Sequence, residues 1–182
     1  MTETSSLAPV VVIDLQTGMF DGAQMPPLHD ADGLTARVRA VTEWARRSGR
    51  KVAFIRHDGP PQEALAPGKP GWPVWPAVGQ AQDEPTFSKS VADSFSNPDF
   101  AAWVDAQGAG AVILMGAQTD ECVAATVKGA VERGLKVTVV ADAHSTWSYG
   151  GETADQIIAR HNALFAAAGA RVLATDEIVG AG

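Results

Sequence analysis

Residues 10–14 read Val-Val-Val-Ile-Asp, an unbroken β-branched run that ends at a carboxylate. Such a run is typical of a central strand in a parallel sheet, which is buried on both faces. A short strand at 86–89 and four apolar runs, at 52–55, 111–115, 137–141 and 171–173, predict the other strands. Because segments of helical periodicity alternate with these runs, the sequence predicts an α/β fold with helices on both faces of a parallel sheet.

Apolar spacing and capping residues mark four helices. Three of them have apolar stripes: Leu34, Val38, Val41 and Ala45 in the first, Val123, Val127, Ala130 and Val131 in the third, and Ile157, Ile158, Leu164 and Phe165 in the fourth. Asn97 before Pro98 predicts the capped start of the second helix. Thr119 is the predicted N-cap of the third helix, so Cys122 is expected in its first turn.

Length and charge limit the class of protein. A chain of 182 residues suits one domain, predicted to span 1–182, and 46% hydrophobic residues can form a core. The net charge of −7 argues against a nucleic-acid partner. No segment resembles a signal peptide or a membrane span of roughly 20 apolar residues, so no membrane partner and a cytoplasmic location are expected.

Several polar residues follow the predicted strands and are expected to meet at one edge of the sheet, where ligands bind in such folds. They are Asp14, His57, Asp58, Gln118, Cys122, Asp142 and His144. Residues 142–149 are predicted to be a loop. The segment 59–85 holds seven of the eleven prolines and is predicted to be a long, functional loop.

Cys122 is the single cysteine, so an internal disulfide and a Cys-rich metal site are excluded. A helix N-terminus favours a thiolate and offers free N–H groups for an oxyanion. The flanking Asp120 and Glu121 oppose a thiolate, so a cation such as Lys89 and a proton acceptor such as Asp14 would be needed. The residues alone leave open a small, buried, inert thiol, a turn-capping Asp14 and a solvated Lys89.

Three segments together resemble the isochorismatase-like cysteine hydrolases, which include nicotinamidases, N-carbamoylsarcosine amidohydrolases, ureidoacrylate amidohydrolases and streptothricin hydrolases. The segments are Val11-Val12-Ile13-Asp14-Leu15-Gln16, Phe87-Ser88-Lys89 and Gly116-Ala117-Gln118-Thr119-Asp120-Glu121-Cys122-Val123. The resemblance covers residues 10–173. The third segment is the most specific for this family. The other two are weak signals singly and become strong only in this order along the chain.

The resemblance implies an Asp14, Lys89 and Cys122 triad that cleaves an amide, lactam or ureido C–N bond of a small molecule through a thioester. Its oxyanion hole would be the backbone N–H groups of Gln118 and Cys122, and a cis peptide would join Ala117 to Gln118. It further implies a three-layer α/β/α fold with a six-stranded, mainly parallel sheet of order 3-2-1-4-5-6. A homodimer or homotetramer is the assembly that the family implies.

The chain departs from the nicotinamidase pattern after the second strand. Nicotinamidases there have an Asp-x-His and a further His that bind a metal, whereas this chain has Arg56-His57-Asp58-Gly59 and then prolines. No metal is therefore predicted. No cofactor is predicted either, because the turn after Asp14 lacks a glycine-rich phosphate signature. Isochorismatase-type hydrolysis of a vinyl ether stays an alternative, because family members can perform that reaction without the cysteine.

Five side chains are predicted substrate contacts: Gln16, Phe20, Trp72, Thr119 and His144. Loop aromatics could equally anchor the core, and Gln16 could equally hold a turn. His57 is predicted to contact substrate or to hold structure, and His161 to be packed. Two further alternatives for the whole protein are a redox-active thiol, which would not need Lys89, and a non-catalytic binding module on the same fold.

Overall fold

Six parallel strands form one sheet in the order β3-β2-β1-β4-β5-β6. Their bounds in this computed structural model, which describes residues 6–180, are β1 Val10–Ile13, β2 Val52–His57, β3 Thr86–Lys89, β4 Ala111–Ala117, β5 Lys136–Ser145 and β6 Arg171–Leu173. The predicted α/β class and strand order are confirmed. Residues 1–5 and 181–182, the two ends of the predicted domain, lie outside the described residues.

In the described residues, five α-helices cover the sheet: α1 Ala31–Arg47, α2 Pro98–Ala106, α3 Ala124–Glu132, α4 Ala154–Ala167 and α5 Thr175–Val179. Alternate residues of β1 pack toward opposite faces, with Val10 and Val12 in one core cluster and Val11 and Ile13 in the other. Helices α1 and α5 contribute to the first cluster, and α2, α3 and α4 to the second. Double-sided burial of the central strand explains its unbroken apolar run.

Several helix predictions are confirmed in detail. All four residues of the α1 stripe are fully buried. The Asn97 side chain caps α2 by accepting hydrogen bonds from the N–H groups of Asp99 and Phe100, with Pro98 as the first helical residue. His161 is buried, and its Nδ1 lies 2.9 Å from the carbonyl oxygen of Ile157 on the same helix.

Other predictions need correction. The loop predicted at 142–149 begins only after Ser145, because β5 continues to that residue. His144 and Ser145 pair with Gly116 and Ala117 of β4 after a register shift. Leu164, predicted to face the core, is 52% exposed. The short helix α5 was not predicted, since five residues carry too little periodicity to identify.

The long proline-rich segment is a loop, as predicted, with one short 3₁₀ helix at Pro76–Val78 and an isolated bridge between Val74 and Gln16. It returns to the sheet near the end of β1, which places part of it beside Asp14. Within residues 6–180, no helix combines the length and the apolarity needed to cross a membrane.

Candidate active site

Three of the predicted site residues meet at the carboxyl edge of the sheet. Asp14 follows β1 directly, Lys89 is the last residue of β3, and Cys122 lies in the turn after β4. The Lys89 ammonium donates to Asp14 Oδ2 at 2.7 Å and contacts Cys122 Sγ at 3.2 Å. Parallel strands bring their carboxyl ends together, so residues 75 and 33 positions apart become neighbours.

The Asp14–Lys89 ion pair is buried, with side chains 1% and 0% exposed respectively. Asp14 Oδ2 is occupied by Lys89, whereas Oδ1 is buried without a hydrogen-bond partner among the described residues. Asp14 lines a cavity together with Cys122. A buried carboxylate oxygen without a partner beside a thiol is placed to accept a proton.

Cys122 rests as a neutral thiol. Burial raises its pKa to about 12, and the negative charge of Asp14 adds to the rise while Lys89 opposes it. Loss of solvation therefore outweighs the stabilisation that Lys89 gives to a thiolate. A proton has to leave the sulfur when it attacks, and Asp14 is the adjacent acceptor.

The turn that carries Cys122 differs from the predicted first turn of an α-helix. Residues Thr119–Val123 form a wider, π-type turn, and α3 begins only after it. Thr119 is not the N-cap; Gln118 holds that position without a side-chain cap. The peptide bond between Ala117 and Gln118 is cis, as the family resemblance implied. Gln118 and Cys122, the predicted oxyanion-hole residues, both line the cavity.

The cavity has a volume of about 650 Å³, large enough for a small organic molecule. Its walls combine polar and apolar side chains from the strand ends, from four loops and from the turn after β4. The lining residues are Asp14, Met19, Gln24, Met25, His57, Gln62, Glu63, Ala64, Leu65, Ser90, Val91, Ala92, Gln118, Glu121, Cys122 and Trp147. Cys122 thus faces a half-open cleft with room for substrate.

His57 lies beside this chemistry. A carboxylate oxygen of Asp14, a ring nitrogen of His57 and Sγ of Cys122 all lie within 4.8 Å of one another. His57 Nδ1 is buried without a partner in the described part of the chain. The three donors could hold a metal ion by type, but the Lys89 ammonium contacts two of them and would repel a cation.

Gln16 contacts the backbone instead of the cavity. Its amide nitrogen donates to the carbonyl oxygens of His57 and Trp72, and its amide oxygen accepts from the His57 N–H. Gln16 is fully buried. The structure therefore gives it the turn-holding role, and its effect on the site passes through His57.

The predicted aromatic contacts also lie outside the cavity lining. Phe20 stacks on Trp75 with ring centroids 5.2 Å apart. The Arg56 guanidinium covers Trp72 at 3.5 Å from the ring centroid, and the Trp72 indole N–H donates to Asp58. Both rings are occupied by neighbours, which does not support direct contact with a ligand.

Thr119 and His144 form a buried pair behind the nucleophile turn. Asn162 donates its amide N–H to the Ala141 carbonyl, so its oxygen accepts from His144 Nε2–H, and His144 Nδ1 accepts from the Thr119 hydroxyl at 2.8 Å. Burial lowers the pKa of His144 to about 4, which keeps the ring neutral. These two predicted substrate contacts hold the turn in place.

Asp120 and Trp147 join the loops around the site. Asp120 accepts hydrogen bonds from Thr146 and Tyr149, so it ties the nucleophile turn to the loop after β5. Trp147 lines the cavity and donates its indole N–H to the carbonyl oxygens of Pro26 and Pro27, which joins two loops of the wall. The fold, not residue type, distinguishes Trp147, which lines the cavity, from Trp72, which does not.

Residues 8–177 match the family model described as the Isochorismatase domain. A streptothricin hydrolase from Streptomyces noursei is 33% identical over 138 residues, which cover 76% of this chain and 49% of the relative. The chain spans about half the length of the streptothricin hydrolases that it matches.

Solved structures show the same fold. An isochorismatase from Pseudomonas putida superimposes with a TM-score of 0.86 at 25% identity, over 95% of this chain and 90% of that one. An N-carbamoylsarcosine amidase from Thermoplasma acidophilum gives a TM-score of 0.79 at 23% identity, over 94% and 99% of the two chains.

Proposed function

This chain belongs to the isochorismatase family of hydrolases, and from that membership we propose that it cleaves a C–N bond of a small amide, lactam or ureido compound through a thioester on Cys122. The observation that carries the proposal is the Lys89 ammonium, which contacts both Asp14 and Cys122 at the wall of the cavity. A redox thiol would need neither the ammonium nor the buried carboxylate. The names of relatives that act on C–N bonds agree with this reaction class.

The first half of the reaction makes the thioester. Asp14 Oδ1 takes the thiol proton while Sγ forms a bond to the substrate carbonyl carbon, whose oxygen becomes an oxyanion near the N–H groups of Gln118 and Cys122. The C–N bond then breaks, and the leaving nitrogen takes the proton from Asp14. Free amine or ammonia departs, and the acyl group stays on sulfur.

The second half releases the acid. Asp14 accepts a proton from water, whose oxygen attacks the thioester carbon; the C–S bond breaks, and the sulfur recovers the proton. Lys89 stays charged throughout. Its ammonium stabilises the carboxylate at rest and the sulfur anion as it forms, which offsets the high pKa of the buried thiol.

Single-turnover mass spectrometry tests the proposal. Wild type, Cys122→Ala and Lys89→Met are mixed with a panel of small amides, lactams and ureido compounds, and amine or ammonia release is measured in parallel. We expect an acyl adduct on Cys122 in wild type, with matching amine release, and neither in the two variants.

Two results would contradict the proposal. Amine release that persists in Cys122→Ala would exclude the thioester route. Turnover of isochorismate by both wild type and Cys122→Ala, with no adduct from any panel compound, would replace it with vinyl ether hydrolysis, which does not need the thiol.

A further inference from the structure

The charged groups of the cavity wall are carboxylates. Of its lining residues, Asp14, Glu63 and Glu121 carry acidic side chains, and no lysine or arginine of residues 6–180 lines it. The Asp14 charge is balanced by Lys89 in a buried ion pair. Glu63 and Glu121 are exposed and form no salt bridge within the described chain, so they place negative charge at the solvent-facing side of the cavity.

Lys89 and Arg56 are both engaged by other groups. Lys89 points its ammonium at Asp14 and Cys122 behind the wall. Arg56, next to His57 in sequence, lies over the Trp72 ring and donates to the Ser88 hydroxyl. Neither side chain lines the cavity, so an anionic ligand would meet the two glutamates without a matching cation.

A fully buried acceptor lies at the wall of the same cavity, beside Cys122. Asp14 is 0% exposed, and its Oδ1 has no partner in the described structure, although it lines the cavity. The Trp147 ring contributes an aromatic surface to the wall, and such surfaces attract ammonium groups. A cleft lined by charge of one sign raises the local concentration of ligands of the opposite sign.

We propose that the cavity selects a cationic substrate, an amide or ureido compound with a protonated amine that lies toward Glu63 and Glu121 while its carbonyl meets Cys122. The inference rests on the proposed function, since it names the substrate class of that reaction. It also makes a claim about charge that is independent of hydrolysis, because the Cys122 thiol itself reports the potential of the cavity.

The first test measures that potential with the thiol. Cys122 is modified with two matched methanethiosulfonates, one with a cationic aminoethyl group and one with an anionic sulfonatoethyl group, and each rate is divided by its rate with 2-mercaptoethanol. After this normalisation, we expect the cationic reagent to modify Cys122 at least about tenfold faster than the anionic reagent at low ionic strength. Added salt should reduce this ratio. A ratio of one or below overturns the inference, whether or not any amide is hydrolysed.

The second test uses three amides of equal length: 6-aminohexanamide, hexanamide and adipic acid monoamide. The expected order of kcat/KM is cationic, neutral, anionic, with at least about tenfold between the first two. In the double variant with Glu63→Gln and Glu121→Gln, the preference for the cationic over the neutral amide should fall below about threefold. Glu132→Gln, an exposed residue of α3 outside the cavity, should keep the wild-type preference.

The two tests separate the possible failures. The first failure combines a high thiosulfonate ratio, which the double variant loses, with no turnover of any amide and no adduct. That result supports a cation-selecting cavity and rejects the proposed hydrolysis. Turnover through a Cys122 adduct with equal rates for the three amides supports the hydrolysis and rejects the cationic preference.

Discussion

The Gln16 side chain forms hydrogen bonds with both backbone polar groups of His57. The Gln16 amide oxygen accepts from the His57 N–H at 2.8 Å, and the amide nitrogen donates to the His57 carbonyl oxygen at 3.0 Å. The same nitrogen donates to the Trp72 carbonyl at 2.8 Å. One buried side chain thus fixes the end of β2, where His57 enters the cavity, to the long loop.

We expect Gln16→Leu to lower the free energy of unfolding by roughly 2–4 kcal/mol, because it leaves these backbone groups without partners. Urea denaturation measures the loss. The matched control is Gln24→Leu at an exposed position, with an expected change of about 0.5 kcal/mol or less. Equal stability of the two variants would mean that water replaces the Gln16 amide.

Lys89→Met should destabilise the protein by about 3–5 kcal/mol, because it leaves the Asp14 carboxylate buried without a counterion. Asp14→Asn combined with Lys89→Met removes both charges and should recover most of that loss. Urea denaturation of the single and double variants gives the comparison, and neither should hydrolyse amides. A double variant as unstable as Lys89→Met would argue against an ionic pair at rest.

The thiol of Cys122 should titrate with a pKa of about 12, which absorbance of the thiolate near 240 nm measures against Cys122→Ala as the blank. Asp14→Asn removes a negative charge that disfavours the thiolate, so the pKa should fall. A wild-type pKa below about 7 would instead make the thiolate the resting form at neutral pH. It would also remove the need for Asp14 as base in the first step.

Stability should fall as the pH drops from about 6.5 toward 4 because of His144. The unfolded chain binds a proton at the ordinary histidine pKa near 6.5, while the folded protein resists protonation down to about 4. Folding is therefore penalised progressively in that window, by up to about 3 kcal/mol. Above pH 6.5 the penalty is absent, because both states are neutral.

Urea denaturation at several pH values checks this prediction as a difference between wild type and His144→Gln. The variant starts less stable, since it disturbs the contacts with Thr119 and Asn162, but it should lose less stability between pH 6.5 and 4. His29→Gln, at a partly exposed residue, should follow wild type. Parallel curves for wild type and His144→Gln would show that His144 is protonated in the folded state.

The predictions that succeeded rest on local or strongly periodic signals. The apolar run 10–13 identified the central strand because burial on both faces requires apolar residues throughout. Asn97 with Pro98 identified the start of α2 because capping is a contact between residues two and three apart. The extension of β5 to Ser145 was missed because pairing with Gly116 and Ala117 overrides the polar composition of that stretch.

For the candidate site, the order of the strands predicted that Asp14 and Cys122 lie at one edge of the sheet. The meeting of Lys89 with them was implied by the family resemblance, because residue type and position alone left Lys89 a solvated lysine. The sequence also determined the family, because the segment around Cys122 is specific enough to match it.

Tertiary structure alone decided how buried the thiol is, which raises its pKa, and which polar side chains face the cavity. Gln16, Thr119 and His144 have the right chemistry for substrate contacts, yet each is used by a neighbour in the fold. The physical reason is that solvation and hydrogen-bond partners depend on contacts between distant segments, which residue type and local spacing do not encode.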